Sequence, residues 1–196
     1  PERVTEIIKT ELAELNQRFG DKRRTELLVG EVLSLEDEDL IEEEEIVITL
    51  TNNGYIKRLA NNEFRAQRRG GRGVQGMGVH NDDFVKNLVS CSTHDTLLFF
   101  TNNGKVYRAK GYEIPEYGRT AKGIPIINLL GIDSSEKIQA IIAVTGEAQE
   151  GHYLFFTTRQ GTVKRTTVTA FANIRSNGLI AIGLKEDDEL VNVLLT

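Results

Sequence analysis

Cysteine is nearly absent from this 196-residue chain. Cys91 stands alone, so no internal disulfide can form and the fold has to rest on its core. A single thiol suits a reducing compartment, and a cytoplasmic location is the expectation. No apolar run approaches the roughly 20 residues that cross a bilayer, and the N-terminal "PERVTEIIKTEL" has no signal-peptide core, so neither membrane nor export is expected. His80, His94 and His152 fall at no metal-ligand spacing. No G-x-S-x-G nucleophile elbow occurs, and Tyr55, Tyr107, Tyr112, Tyr117 and Tyr153 have no companion motif that would make one of them a nucleophile. The sequence therefore shows no enzyme site, and no metal or cofactor is expected in this chain. Initiator Met is also missing, and the final "VNVLLT" breaks off abruptly; both suggest a piece of a longer protein.

What is present is divided by charge. The whole chain carries −5, but residues 1–45 hold 6 Lys/Arg against 15 Asp/Glu, while residues 46–196 hold 18 against 14. Between Lys57 and Arg72 lie six basic residues (Lys57, Arg58, Arg65, Arg68, Arg69 and Arg72) and one acid, Glu63. Such asymmetry points to a polyanionic partner for one face of the molecule.

In the acidic part, Val4, Ile8, Leu12, Leu15 and Phe19 recur at helical steps, which predicts an amphipathic helix ending at Gly20. Its stripe suits either a partner element or this protein's own body. "EDEDLIEEEE" (Glu36–Glu45) is too charged for a core. It reads as a solvated linker, with a phosphate mimic that competes for the basic face as the sharper alternative. The division expected is thus 1–45, helix and linker, and 46–196.

From Ile46 the pattern turns to strands and repeats. "IVITLTNNGYIKR", "LLFFTNNGKVYR" and "YLFFTTRQGTVKR" are one hairpin written three times, with turn glycines 50 and 57 residues apart. Asn53-Gly54 and Asn103-Gly104 suggest two-residue type I′ turns. Gly73 and Gly123 each follow the hairpin's last arginine by fifteen residues, and Gly178 follows by thirteen. An acidic step and a short apolar strand then close each module, at "NDDFVKNLVS", "SSEKIQAIIAV" and "EDDELVNVLLT". Repeats of about 46–90, 91–144 and 145–190 result, with Leu190–Leu195 expected to open a fourth. A period near 50 with about four short strands predicts an all-β, propeller-like array of four-stranded blades behind an N-terminal helix. A single blade cannot bury both faces, so neighbours must stack on it.

The glycine-rich loop "QRRGGRGVQGM" (Gln67–Met77) contains a G-x-G-x-x-G match at Gly71–Gly76, but Gly76-Met77-Gly78 would break the helix that a dinucleotide site requires. Glycine lets backbone N–H groups approach a phosphate, and arginine presents a planar donor fork. Alone, the loop could equally be solvated and without a partner. The repeat favours a clamp, because basic residues return at the strand ends (Lys57-Arg58, Arg108, Lys164-Arg165) and on the glycine loops (Arg68, Arg69 and Arg72; Arg119 and Lys122; Arg175). On a propeller rim these form a curved positive stripe, suited to duplex nucleic acid with little sequence preference. A single-strand binder would use stacking aromatics, and none interrupts Gln67–Met77.

"QRRGGRG", Gln67–Gly73, resembles the gyrase box of the bacterial DNA gyrase A-subunit family, with Arg72 where the family usually has Lys. "FGDKRRTEL" (Phe19–Leu27) is similar to the end of that family's helical breakage–reunion region, and the "FFTNNGKVYR"-type hairpins to its C-terminal β-pinwheel, so the resemblance spans essentially the whole chain. It implies a six-bladed DNA-wrapping domain, of which about three blades are represented here. It further implies bending and wrapping of duplex DNA in a bacterial, nucleoid-associated enzyme of two A and two B subunits. That enzyme would supercoil DNA negatively with ATP and Mg²⁺ held in other regions, and the DNA-cleaving tyrosine would lie outside this chain. The box, Gln67, Arg68, Arg69, Gly70, Gly71, Arg72 and Gly73, carries over by motif. Lys57, Arg58, Arg65, Arg108, Arg119, Lys122, Lys164, Arg165 and Arg175 follow as rim cations from the repeat alignment. Two alternatives stand beside this: a DNA-binding domain like that of the topoisomerase IV A-type chain, and a propeller-type protein-interaction module.

Overall fold

The computed structural model describes residues 2–21, 37–61, 83–145 and 151–196, in two compact units, Pro1–Glu36 and Asp37–Thr196. The first contains helix α1 (Glu2–Phe19), closed at Gly20, whose N–H donates to the Asn16 carbonyl. The stripe forms as the spacing predicts, and Val4, Ile8, Leu12, Leu15 and Phe19 are all exposed.

The second unit begins earlier than the expected boundary at 46, because the acidic stretch from Asp37 does not float as a solvated linker. Thr93 ties it down: its hydroxyl accepts the Glu44 N–H and donates to the Glu42 carbonyl, and its own N–H donates to the Glu44 carbonyl. His94 Nε2 lies 2.9 Å from the Ile41 carbonyl. The reason is general. An acidic segment docks through its backbone as well as any other, while the side chains of Glu42–Glu45 remain exposed.

Eleven strands follow among the described residues. The first module gives β1 (Glu45–Thr51), β2 (Tyr55–Ala60) and β3 (Val85–Ser92). The second gives β4 (Thr96–Thr101), β5 (Lys105–Lys110), β6 (Ile124–Pro125) and β7 (Ile138–Val144). The third gives β8 (Tyr153–Thr158), β9 (Val163–Thr167), β10 (Leu179–Ile180) and β11 (Leu190–Leu195). The hairpins are real, but their turns are not two-residue type I′. Asn53 and Asn103 do not take positive φ; Gly54 and Gly104 alone do, at 81° and 73°. Each turn spans three residues, closed by Gly54 N–H on the Thr51 carbonyl and Gly104 N–H on the Thr101 carbonyl. The Thr51 hydroxyl also accepts the Tyr55 N–H.

The modules are not the blades. The sheet orders are β3-β1-β2-β6, β10-β5-β4-β7 and β11-β8-β9. β6, from the second module, completes the first blade by pairing Tyr55 with Pro125 and Ile56 with Ile124. β10, from the third module, completes the second blade on Val106 and Lys105. Each outermost strand is thus contributed by the following module, and the third blade has three strands. β11 is not the start of a fourth blade, as contiguity suggested. It pairs antiparallel with β8, occupying in its blade the place that β3 and β7 hold in theirs.

Stacking makes two cores. Alternation along β4 sends Leu97 and Phe99 to the first blade, where they meet Ile46, Ile48, Leu50 and Ile56. Leu98 and Phe100 point the other way, onto Leu154, Phe156, Leu190 and Val193. β4 is therefore apolar on both sides, and Phe99 and Phe100 are wholly buried. The exchanged segments are wedged into the same cores: Ile126 in the first, Ala181 and Ile182 in the second.

Candidate nucleic-acid interface

Strand exchange decides which cations meet. Arg58, Arg108 and Arg165 occupy equivalent places on β2, β5 and β9, opposite Ile48, Leu98 and Phe155 of their hairpin partners. On the first blade, the segment leading to β6 runs beside Arg58. Arg58 N–H donates to the Pro115 carbonyl, Tyr117 N–H donates to the Arg58 carbonyl, and the guanidinium lies 3.6 Å from Glu116. That segment continues into the loop 118–122, which carries Arg119 and Lys122 of the second module to the Tyr55–Lys57 side of β2 in the first blade. There Lys122 meets the Tyr55 ring and Lys57 donates to the loop carbonyls. On the second blade, Arg108 donates to the Ala172 carbonyl at 2.7 Å and shares an open cleft of about 430 Å³ with Arg175 of the third module. The first and second blades therefore each carry cations from two modules, and on the second these share one cleft.

The supports differ from site to site. Lys122 holds its ammonium 3.7 Å from the centre of the Tyr55 ring, and Arg165 lies 4.3 Å from that of Tyr153. Lys164 is exposed but sends its ammonium to the Ala181 carbonyl at 2.7 Å. Arg119, Arg165 and Arg175 are exposed. Lys57 does not belong on the rim as expected. It is fully buried, and its ammonium donates to the carbonyls of Gly118, Arg119 and Ala121. Lys57 and Arg58 face opposite sides of the sheet, and the exchanged segment, through residues 118–121, closes over the Lys57 side. The box Gln67–Gly73, with Arg65, lies outside the described residues.

Sequence reasoning gave the loop glycines to phosphate approach, and the structure gives Gly123 a different task. Its φ is +79°, and a Cβ there would overlap the Ile56 carbonyl oxygen. Only glycine lets the exchanged chain return onto β2. Gly178 is its counterpart on β5, with φ +79° and Tyr107 in the way of any side chain.

Two features escape the sequence pattern. Lys110 lines the cleft with Arg108 and Arg175, and Glu38 from the acidic stretch meets it at 2.7 Å. The acidic step is a turn clamp. Asp83 accepts the N–H groups of Asn53 and Phe84, and Asp188 those of Gln160 and Glu189. Burial opposes their ionisation. Those bonds, the Thr51 and Thr158 hydroxyls and the charges of Lys122 and Lys185 outweigh it, holding both carboxyls below the ordinary value of 3.8. Glu136 takes this place in the second module and reaches past the turn to Tyr107 and Lys105 instead. Recurrence of an acid at one point of the repeat was the available signal.

Burial, with Asp95 and Glu45 nearby, pushes the Cys91 thiol up to about 12, far from a nucleophilic thiolate. Among the described residues no three His, Cys, Asp or Glu side chains are grouped to hold a metal, and no helix is long and apolar enough to cross a membrane.

Stacked antiparallel blades that complete one another by strand exchange, with cations recurring on the exchanged loops, define a β-pinwheel. Residues 45–92, 95–145 and 152–196 match the family model described as "DNA gyrase C-terminal domain, beta-propeller". The chain belongs to that family. It is similar to the DNA gyrase A protein of Streptococcus pneumoniae (strain ATCC BAA-255 / R6), 68% identical over 195 residues that cover 100% of this chain and 24% of the relative. It thus spans about a quarter of that relative's length. Among solved structures, the C-terminal domain of DNA topoisomerase IV superposes with a TM-score of 0.67 at 30% identity, over 80% of this chain and 47% of that one. The DNA gyrase A C-terminal domain gives 0.62, also at 30% identity, over 78% and 48%.

Proposed function

We propose that this chain binds duplex DNA along its blade edges, without sequence preference, and bends it as the wrapping part of a gyrase A protein. The observation that supports this best is that strand exchange brings cations from successive modules onto one blade: Arg108 with Arg175 in one cleft on the second, and Arg119 with Lys122 carried onto the first. Repeated point charges match a regular phosphate backbone and offer little to read bases with. Bending a 20–30 bp site by 40–90° costs on the order of 1–6 kcal/mol, so contacts on several blades have to offset it. In the holoenzyme, two A and two B subunits in the bacterial cytoplasm would use ATP and Mg²⁺ bound elsewhere, and a cleavage tyrosine outside this chain, to introduce negative supercoils.

The higher TM-score to the topoisomerase IV domain keeps a second reading open, a DNA-binding domain without the box-dependent wrap. The box decides between them. In the holoenzyme, Arg68→Ala with Arg69→Ala and Arg72→Ala is expected to abolish negative supercoiling while ATP-dependent relaxation and decatenation survive. Supercoiling at the parent rate in that triple variant would refute the gyrase reading. A propeller serving only protein partners would show no DNA affinity at all.

A further inference from the structure

The loop that carries Arg119 and Lys122 has little core of its own; residues 118–120 are exposed. Beneath it lies the ammonium of Lys57, wholly buried and donating to the carbonyls of Gly118 at 3.0 Å, Arg119 at 2.7 Å and Ala121 at 2.9 Å. Three acceptors from one short loop match the three N–H bonds of an ammonium. Charge-assisted bonds of this kind are strong, and stronger away from water. Immediately beyond the grip, Gly123 turns the chain back onto β2. Tyr107, at the equivalent position of the second blade, ends on the Glu136 carboxylate, and Lys164 of the third donates to the Ala181 carbonyl, so among the described residues the three-carbonyl grip belongs to the first blade.

We propose that Lys57 is a positioning residue for DNA contact: its buried ammonium fixes the backbone of residues 118–121 so that Arg119 and Lys122 are presented together on the first blade. The idea rests on the DNA-binding reading above. It makes a buried lysine of one module set the geometry of an exposed cationic loop from the next. Arg119 and Lys122 touch the phosphates, and Lys57 acts through them.

The test is a double-mutant cycle in this chain between Lys57→Met and the pair Arg119→Ala, Lys122→Ala, read by duplex DNA affinity and by trypsin cleavage after Arg119. Lys57→Met is expected to speed that cleavage tenfold or more over cleavage at other sites. It should lower affinity several-fold, to the level of the double-alanine variant, with no further loss when all three changes are combined. Unchanged cleavage and affinity, or a loss that simply multiplies with the double-alanine loss, would overturn the proposal. If the double-alanine variant binds DNA like the parent, the DNA reading fails, while the cleavage result still reports on the grip. A second measurement avoids substitution altogether: acetylation of the unaltered chain should modify Lys122 and spare Lys57. Lys57 reacting as fast as Lys122 would also overturn the proposal.

Discussion

Glu38 and Lys110 meet at 2.7 Å at the mouth of the cleft that holds Arg108 and Arg175. Lys110 also donates to the His94 carbonyl. A carboxylate of the chain thus occupies one cation of a basic edge, where the phosphate-mimic alternative for the acidic stretch would put it. Both partners remain partly exposed, so the pair is worth no more than about 1 kcal/mol. Glu38→Gln is expected to tighten duplex DNA binding by two- to fivefold at low salt, with the gain fading as salt rises. Titration of labelled duplex at two ionic strengths checks this, and an unchanged or weaker affinity at low salt would remove the competitor role.

Gly123 closes the exchange of β6 onto β2. Gly123→Ala places a methyl against the Ile56 carbonyl in a backbone conformation that L-residues avoid. The left-handed conformation alone costs about 1–2 kcal/mol, and the overlap adds to it. Thermal unfolding should shift down by several degrees. Amide exchange should quicken at Ile56 and Ile124, which pair across the exchange, before it does in β4. A variant as stable as the parent would mean that the exchanged strand is held elsewhere.

Asp83 and Asp188 are both held below 3.8 in the folded chain. Depressed carboxyl values stabilise the fold above the unfolded value, and that contribution is lost as pH falls through the folded ones. Stability should therefore be level from neutral pH down to about 5 and decline below about 4. Asp83→Asn with Asp188→Asn keeps the side-chain oxygen that accepts the turn N–H groups but removes the ionisation. Urea midpoints against pH should then show a shallower acid limb. An acid limb as steep as the parent's would assign acid sensitivity to other carboxylates.

Much of this architecture was legible because period-two alternation and a repeat near 50 are local signals. The hairpins, the apolar faces of β4 and the recurrence of Arg58, Arg108 and Arg165 follow from them directly. Strand exchange was not legible. A two-residue strand such as Ile124–Pro125 carries no periodicity, and nothing in the sequence says which blade it joins. The same limit made β11 look like a beginning instead of the inner partner of β8. Adjacency in sequence makes Lys57 and Arg58 look like a pair, but on a strand, neighbours face apart. The acidic step was visible as composition, but its work as a turn clamp depends on Asp83 folding back onto Asn53, a contact across thirty residues.

The salt dependence of duplex DNA binding tests the central claim most directly. The logarithm of the affinity constant should fall linearly with the logarithm of salt concentration, by about 0.9 for each phosphate neutralised, and equally for unrelated sequences. Arg108→Ala with Arg175→Ala removes two cations that strand exchange brings to one cleft, and should reduce the steepness of that slope by about 2. A slope unchanged by the pair, an affinity indifferent to salt, or binding confined to one sequence would contradict the account.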